Sequence, residues 1–370
     1  MTTDAARRLT RTQEAAAGAG IGALLIGPGA DLRYLTGYDA VPLERLTCLV
    51  LPSSGDPVLV VPALERPAAM ASPVGEAGMA VRTWEETDDP YALTASLLPT
   101  GAATVGLDNH MWAEKVFAFA RALPGTEQVL AGDVLGGLRM RKTPDEVDAL
   151  RDAGQAIDRV HERMGEWLRP GRTERAVAHD IAEAILDEGH VRADFVIVGS
   201  GPNAASPHHG VSDREIDAGD PVVVDIGGTT AAGYCSDSTR NYVARGPMPE
   251  EYARYFAVLR RAQQAQCEHA RPGVTAESVD RVGRMIIAAA GYGPAFVHRT
   301  GHGIGLETHE EPYIVEGNQL LLEPGMAFSI EPGIYLAGRH GARIEDIVVC
   351  TTDGVERLNL SARDAVVLDG

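Results

Sequence analysis

Short apolar runs alternate with helical periodicities along the first part of this 370-residue chain. Apolar runs bounded by Gly, Pro, Ser or Asp are typical of buried strands, whereas apolar residues spaced three and four apart indicate amphipathic helices. The pattern predicts helices over residues 3–17, 90–98 and 111–123, and strands over residues 23–26, 46–52, 57–62, 104–108 and 128–131. This alternation favours a compact α/β domain over residues 1–138.

A helix start marks the boundary after this first domain. Thr143 is a favoured N-cap, Pro144 suits the first helical position, and Glu146 follows three residues after the cap, which completes a capping-box pattern. A long amphipathic helix is predicted from this cap to Leu168. The second domain is therefore expected over residues 139–370.

Two segments of the second domain resemble each other. The string Arg-Pro-Gly-Arg-Thr at residues 169–173 returns as Arg-Pro-Gly-Val-Thr at residues 271–275. After each string we expect a helix that ends in glycine, a strand with an aromatic residue (Phe195 or Phe296), a histidine-containing loop and a pair of acids across a turn. This shared order predicts two related α+β halves, and clefts between such units are frequent binding sites.

Acidic residues interrupt apolar segments of the second domain where burial is expected. Three of them stand in runs of valine, isoleucine or phenylalanine, and a histidine lies in the glycine-rich string Gly-His-Gly-Ile-Gly. The full set of candidate metal ligands is Asp225, Asp237, His302, Glu331 and Glu345. A buried carboxylate costs free energy unless a cation or hydrogen bonds compensate it. A single acid of this kind would be interpreted as a strand-end residue in a salt bridge. The four acids and the histidine together favour a metal site.

The charge of this set predicts the number of metal ions. Four carboxylates carry four negative charges and a metal-bound imidazole is neutral, so two divalent cations balance the set. Carboxylates with one imidazole and no thiolate favour Mn²⁺, Co²⁺ or Zn²⁺ over a structural zinc–thiolate centre. We therefore expect a two-metal site with a bridging water or hydroxide, of the kind used for hydrolysis.

Composition argues against several other functions. A net charge of −19 provides no basic stripe for phosphates, so no nucleic-acid partner is expected. The sequence has no apolar run long enough for a bilayer and no signal-peptide pattern. The four cysteines lack CxxC spacing, which is typical of free thiols in a reducing compartment. We expect a cytoplasmic protein without a membrane partner.

Five strings in the second domain resemble those of the creatinase/prolidase metallopeptidases, a family that includes Xaa-Pro dipeptidases, Xaa-Pro aminopeptidases, methionine aminopeptidases and creatinase. The strings cover residues 224–228, 236–240, 301–307, 329–335 and 343–346. Residues 32–38 are similar to the additional N-terminal domain of prolidases and creatinase. The resemblance implies an α+β fold class, with a two-half pita-bread catalytic domain preceded by a smaller creatinase-like α/β domain.

The resemblance also implies how the ligands share the metals. Asp225, Asp237 and Glu345 would hold one ion, and Asp237 and Glu345 would bridge to a second ion that His302 and Glu331 complete. Glu331 would also serve as the proton shuttle while it binds metal. Mn²⁺ is the expected metal, with Co²⁺ or Zn²⁺ as alternatives.

Three further side chains are implied in catalysis. His309 would steady the substrate carbonyl oxygen or the tetrahedral intermediate, and His208 would contact the scissile region or the substrate end. Arg343 precedes Glu345 by two residues, so a shared strand face would let it orient the carboxylates. Either histidine could instead be a structural loop residue. His209 is the weaker candidate of its pair, because the family places its histidine directly after the proline.

The resemblance implies hydrolysis of the Xaa-Pro bond of short peptides by a metal-bridging hydroxide. Prolidases often carry an arginine between the second histidine and the glutamate ligand, suited to the carboxylate of a dipeptide, but residues 310–338 contain no Lys or Arg. An aminopeptidase acting on longer Xaa-Pro peptides is therefore an alternative to a dipeptidase. A creatinase-like amidinohydrolase, or other hydrolase or lyase chemistry on the same fold, is a further alternative. Relatives with the N-terminal domain are commonly homodimers.

Overall fold

The computed structural model of the chain describes residues 3–369, which divide into two compact units between Arg139 and Met140. Each unit has its own sheet or sheets and its own hydrophobic core. Among the described residues, no helix combines the length and apolar character needed to cross a bilayer.

The first unit contains a six-stranded mixed sheet with strand order β4-β3-β2-β1-β5-β6. Its strands are β1 (Ala23–Ile26), β2 (Cys48–Pro52), β3 (Val58–Pro62), β4 (Ala80–Trp84), β5 (Thr104–Leu107) and β6 (Glu127–Leu130). Its helices are α1 (Thr3–Gly18), α2 (Ala30–Thr36), α3 (Arg66–Met70), α4 (Pro73–Glu76), α5 (Pro90–Ser96), α6 (Ala113–Ala122) and α7 (Gly132–Met140). The predicted strands and helices of this α/β unit are confirmed, with ends that differ from the predicted ones by about two residues or fewer.

Sequence patterns missed several elements of the first unit, among them α2 and β4. The strand β4 lies at the edge of the sheet and only Trp84 in it is fully buried, so it shows little of the apolar signal that marks a central strand. The helix α2 is only seven residues long, which is too short for a clear helical period.

The second unit contains two larger sheets and a separate hairpin. Its helices are α8 (Pro144–Glu162), α9 (Glu174–Asp187), α10 (Glu250–His269) and α11 (Ala276–Ala289). Its strands are β7 (His190–Ser200), β8 (Pro221–Thr230), β9 (Ser238–Ala244), β10 (Gly301–Gly303), β11 (Glu310–Ile314), β12 (Ala327–Ile330), β13 (Gly333–Leu336), β14 (His340–Arg343), β15 (Asp346–Cys350), β16 (Val355–Arg357) and β17 (Val366–Leu368). The sheets have the orders β17-β9-β8-β7 and β11-β10-β12-β15-β16, and β13 pairs with β14.

Two structurally similar halves make up this second unit. In the first half, α8 and α9 pack against β7, β8 and β9 through residues such as Ile157, Ile181 and Val224. In the second half, Val279 of α11 belongs to a core with Phe328 of β12 and Val348 of β15. Helices packed on a mainly antiparallel sheet occur twice, which confirms the predicted α+β architecture.

The two repeated strings form equivalent helix starts. Thr173 accepts a hydrogen bond from the Ala176 N–H at 3.2 Å, and Thr275 accepts one from the Ser278 N–H at 3.2 Å. Both helices are 14 residues long, and a glycine with positive φ follows each end. The predicted strand around Phe296 is wrong, because this residue follows a 3₁₀ turn at Gly293–Ala295.

The predicted capping box at the start of α8 is confirmed. The Thr143 side chain accepts from the Glu146 N–H, and the Glu146 carboxylate accepts from the Thr143 N–H at 2.7 Å. The predicted helix end at Leu168 is wrong, because α8 ends at Glu162 and a 3₁₀ turn follows at Met164–Glu166. This tighter turn continues the apolar pattern that had suggested a longer helix.

Replacing Thr143 with Ala should lower the free energy of unfolding of the second unit by about 1 kcal/mol, because the N-cap loses its side-chain acceptor. Urea denaturation followed by circular dichroism measures this change. Thr352→Ala, at an exposed bend, is the matched control and should leave the midpoint unchanged. Equal midpoints for the two variants would contradict the assigned role of the cap.

Candidate metal centre and active site

The four acids of the candidate site stand at defined positions relative to the strands. Asp225 lies in the middle of β8, whereas Asp237 directly precedes β9. Glu331 lies between β12 and β13, and Glu345 lies between β14 and β15. The apolar runs around Asp225, Glu331 and Glu345 predicted that these three acids lie on buried strands, which is correct for Asp225 and wrong for Glu331 and Glu345. For Glu331 the reason is Pro332, which lacks the N–H needed to continue a strand ladder.

Two glycines fix the position of His302 in β10. A Cβ added to Gly301 would lie 1.9 Å from the Ser329 carbonyl oxygen, and one added to Gly303 would lie 2.1 Å from the Glu311 carbonyl oxygen. No other residue fits between these neighbouring strands, which explains the glycines on both sides of the histidine. Because its two neighbours are glycines, His302 supplies the only side chain of β10, and its imidazole is buried.

The five predicted ligands come together in overlapping groups. Within each group, one ligand atom per residue lies within 4.8 Å of the others. The groups are Asp225 with Asp237 and Glu345, His302 with Glu331 and Glu345, and Asp237 with His302 and His309. Because the first two groups share Glu345, the geometry suits two adjacent cations with a common carboxylate.

The donor atoms themselves fit a cation. Nδ1 of His302 lies 3.1 Å from the Gly303 carbonyl oxygen, which can only accept, so Nδ1 carries a proton and Nε2 is available for a cation. Nε2 lies 3.2 Å from a Glu331 oxygen and 3.6 Å from an Asp237 oxygen. Oδ1 of Asp225 is buried without a hydrogen-bond partner. Buried acceptors that face one another are stabilised when positive charge lies between them.

Electrostatics supports the same assignment. Burial, followed by repulsion from neighbouring carboxylates, raises the pKa of Asp237 and of Glu345 well above their ordinary values. Burial alone would raise the pKa of Glu331 too, but when His302 is protonated at Nε2 as well, its hydrogen bond and charge, with the charges of His298 and Arg343, bring the pKa of Glu331 down to about 2. The cluster therefore needs compensating charge, which divalent cations would supply.

Arg343 supports the acids from one side. Its guanidinium donates to Asp225, to the Tyr335 hydroxyl at 2.9 Å and to Thr239 Oγ1 at 3.0 Å. Thr239 in turn donates to Glu345 at 2.7 Å. β14 ends at Arg343, so the expected shared strand face with Glu345 is wrong, although the arginine does face the acids. This network holds two candidate ligands in place before any ion binds.

All the candidate site residues line one open cavity of about 790 Å³ in the second unit. They are His208, Asp225, Asp237, His302, His309, Glu331, Arg343 and Glu345. The rings of His302 and His309 are 4.0 Å apart, and both His208 and His309 are exposed. Although His309 is exposed to the cavity, partial desolvation of its ring, together with the charges of His302 and Arg299, lowers its pKa to about 4, so its imidazole is neutral at neutral pH.

His209 has a different position from its neighbour. Its Nε2 lies 2.8 Å from the fully buried carboxylate of Glu174, at the start of α9. The same carboxylate also accepts from Ser200 and Ser212. Glu174 therefore ties the loop between β7 and β8 to the core, and this loop carries His208 into the cavity.

The cavity also contains residues that sequence patterns did not single out as site residues. His298 donates from Nδ1 to the Arg299 carbonyl oxygen at 2.7 Å, and its Nε2 lies 2.9 Å from the Tyr335 hydroxyl. Arg299 itself lines the cavity, and Phe195 and Ile197 add apolar surface. The only sequence signal for His298 and Arg299 is their place directly before the glycine-rich string.

Comparison with known proteins identifies the family of this chain. Residues 148–352 match the model of metallopeptidase family M24, and residues 8–141 match that of the creatinase/prolidase N-terminal domain. The chain therefore belongs to metallopeptidase family M24, and it is a metallopeptidase with the creatinase-like N-terminal domain and the pita-bread catalytic domain that the sequence predicted.

Individual relatives extend over nearly the whole chain. A protein of Mycobacterium tuberculosis named probable dipeptidase PepE is 54% identical over 363 residues, which cover 98% of this chain and 96% of the relative. A protein of Lactobacillus helveticus named Xaa-Pro dipeptidase is 38% identical, over 91% of this chain and 92% of the relative. The crystal structure of dipeptidase PepE from Mycobacterium ulcerans superposes with a TM-score of 0.95 at 54% identity, over 99% of this chain and 98% of that one.

Replacing His209 with Ala should lower the free energy of unfolding by about 1–3 kcal/mol, because a buried carboxylate loses one hydrogen-bond donor. His208→Ala is the matched control and should change it by less than about 0.5 kcal/mol, because His208 is exposed. Burial alone would raise the pKa of Glu174, but hydrogen bonds from Ser212, Ser200 and His209 lower it. This stabilisation is therefore present at neutral pH and is lost in acid, so urea midpoints of the two variants should converge as the pH falls.

Replacing Arg343 with Ala should weaken Mn²⁺ binding about 10- to 100-fold, as is usual when a residue that orients metal ligands is removed. Titration calorimetry on metal-stripped protein measures the affinity. Arg343→Lys keeps the charge but not the forked donors, and should lie between wild type and Arg343→Ala. Unchanged affinity in both variants would show that the network does not position the ligands.

Proposed function

We propose that this metallopeptidase hydrolyses the Xaa-Pro peptide bond of short peptides in the cavity of its second unit. The observation that carries the proposal is the pair of overlapping ligand groups that share Glu345 at the base of an open cavity. The names of the relatives, probable dipeptidase and Xaa-Pro dipeptidase, support the same substrate class.

Two divalent ions are the proposed cofactors. Asp225, Asp237 and Glu345 would hold one ion, and His302 and Glu331 would hold the other together with the shared carboxylates. Ions bound there would lower the pKa of a bound water and polarise the scissile carbonyl. Mn²⁺ is the proposed metal because oxygen ligands predominate and no thiolate is present.

The protein's own residues then have distinct roles. Glu331 lines the cavity beside His302, where its carboxylate would accept a proton from the attacking water and pass it to the leaving nitrogen. Neutral His309, beside His302, can donate a hydrogen bond to the oxygen of the tetrahedral intermediate. His208, on the exposed loop of the cavity, would contact the far end of the substrate.

The cavity wall suits an imide substrate. Phe195, Ile197 and Pro207 supply apolar surface against which a pyrrolidine ring can pack. A proline nitrogen has no N–H, so binding it in this position leaves no donor unsatisfied.

Creatinase-like amidinohydrolysis is not favoured, because all five ligands are present and assembled. Other hydrolase or lyase chemistry on the same metals would give a different substrate profile in the test below. We further propose a cytoplasmic homodimer, on the grounds of the free cysteines and of the family resemblance.

The decisive experiment measures hydrolysis of Xaa-Pro dipeptides and tripeptides by metal-stripped protein, with and without Mn²⁺. We expect two bound ions per chain and Mn²⁺-dependent cleavage of the Xaa-Pro bond. Asp237→Asn should lower kcat/KM by about 100- to 1,000-fold, the usual size of effect when charge stabilisation at a reacting centre is lost.

Asp187→Asn, on an exposed residue at the end of α9, is the matched control and should retain full activity. Two bound ions without cleavage of any Xaa-Pro peptide would show that the substrate is of another class. Fewer than two bound ions at saturating Mn²⁺ would contradict the assigned ligand set.

A further inference from the structure

The cavity contains a guanidinium group that no acidic side chain neutralises. Arg343 is committed to Asp225, whereas Arg299 has no carboxylate within 4.0 Å among the residues that the structure describes. Arg299 is half-buried and lines the cavity. An arginine in such a place can bind a substrate anion without first breaking an ion pair.

Local structure holds this arginine in position. Its guanidinium carbon lies 4.3 Å from the centroid of the Tyr313 ring on β11, a cation–π contact that orients the guanidinium plane. Its carbonyl oxygen accepts from His298, and the next residue, Thr300, donates from its N–H to Asp280 at 3.1 Å. The forked donors are therefore presented from a fixed backbone and a fixed aromatic face.

A dipeptide is short enough for its carboxylate to remain in the cavity that Arg299 lines. Arg299 precedes the candidate ligand His302 by three residues, and both residues line the cavity together with His309. In an Xaa-Pro dipeptide, the C-terminal carboxylate carbon is only three bonds from the scissile carbonyl carbon. A cation that binds this carboxylate must therefore line the same cavity as the candidate metal ligands, and Arg299 does so.

We infer that Arg299, stacked on Tyr313, binds the C-terminal carboxylate of the substrate and thereby favours dipeptides over longer peptides. This inference rests on the proposed Xaa-Pro peptidase activity. It explains how a dipeptide carboxylate can be bound although residues 310–338 contain no Lys or Arg, since the cation comes from the segment before the glycine-rich string. Each additional residue moves the carboxylate about 3.5 Å further away, beyond reach of the same guanidinium.

The test compares wild type with Arg299→Ala and Arg299→Lys, all loaded with Mn²⁺, on three substrates. The substrates are leucyl-proline, its C-terminal amide and leucyl-prolyl-glycine. For Arg299→Ala, kcat/KM on the dipeptide should fall roughly 100-fold, as is usual when a buried charge pair loses one partner. Its kcat/KM on the amide and on the tripeptide should change less than about threefold, because neither places a carboxylate at Arg299.

Two other variants test the assignment. Arg299→Lys keeps a positive charge and should recover part of the dipeptide activity. Arg271→Ala, an exposed arginine elsewhere in the second unit, is the matched control and should leave all three substrates unaffected. An equal loss on dipeptide and amide would overturn the inference in favour of a structural role, and no loss on the dipeptide would place the carboxylate elsewhere.

A binding measurement keeps this inference separate from the proposed function. Calorimetry with L-proline and L-prolinamide needs no turnover, and wild type should prefer proline at least about tenfold, with the preference lost in Arg299→Ala. If wild type cleaves none of the peptides but shows this preference, the proposed activity fails while the carboxylate site stands. If the preference is absent from wild type, the inference about Arg299 is wrong whatever the activity.

Discussion

A cluster of four carboxylates, three of them buried and that of Glu331 half-buried, is the constraint on which the second unit depends. Such a cluster is unfavourable in a low-dielectric interior unless positive charge or hydrogen-bond donors compensate it. The protein supplies part of the compensation itself through Arg343, which donates to Asp225, and through Thr239, which donates to Glu345. The rest is left to cations. Positions of strands, glycines and loops around the cavity are best understood as means of holding this charge in one arrangement.

The two halves of the second unit both contribute to that arrangement. Asp225 and Asp237 come from the first half, and Glu331 and Glu345 come from the second, so neither half has a complete site. A buried ion pair joins them, because Arg240 at β9 donates to Asp346 at 2.7 Å and also to the carbonyl oxygen of Glu345. This contact fixes the backbone next to a shared ligand.

The grouping of the five candidate ligands and the capping box were predictable from short strings of residues. The acids conflict with their apolar surroundings, and the cap residues match the usual pattern of a helix start. The repeat was predictable from its two strings and the order of features after them. The place of Arg299 in the cavity was not predictable, because it depends on the contact with Tyr313, which comes from a later segment. The strand breaks beside Glu331 and Glu345 were missed for a related reason, since apolar periodicity reports burial but not the pairing that ends a strand.

The hydrogen bonds of Glu174 also restrict the movement of the loop between β7 and β8, which carries His208 into the cavity. The loop from β7 to β8 would have to leave a fully buried carboxylate without its donors in order to open, so its backbone should stay in place on the microsecond-to-millisecond timescale of lid motions. His208, whose exposed ring is free of that anchor, can still change rotamer within nanoseconds. Peptides would then bind in a cavity that stays open. The fast motion on binding would be that of the His208 side chain, and no slow movement of the loop would be needed.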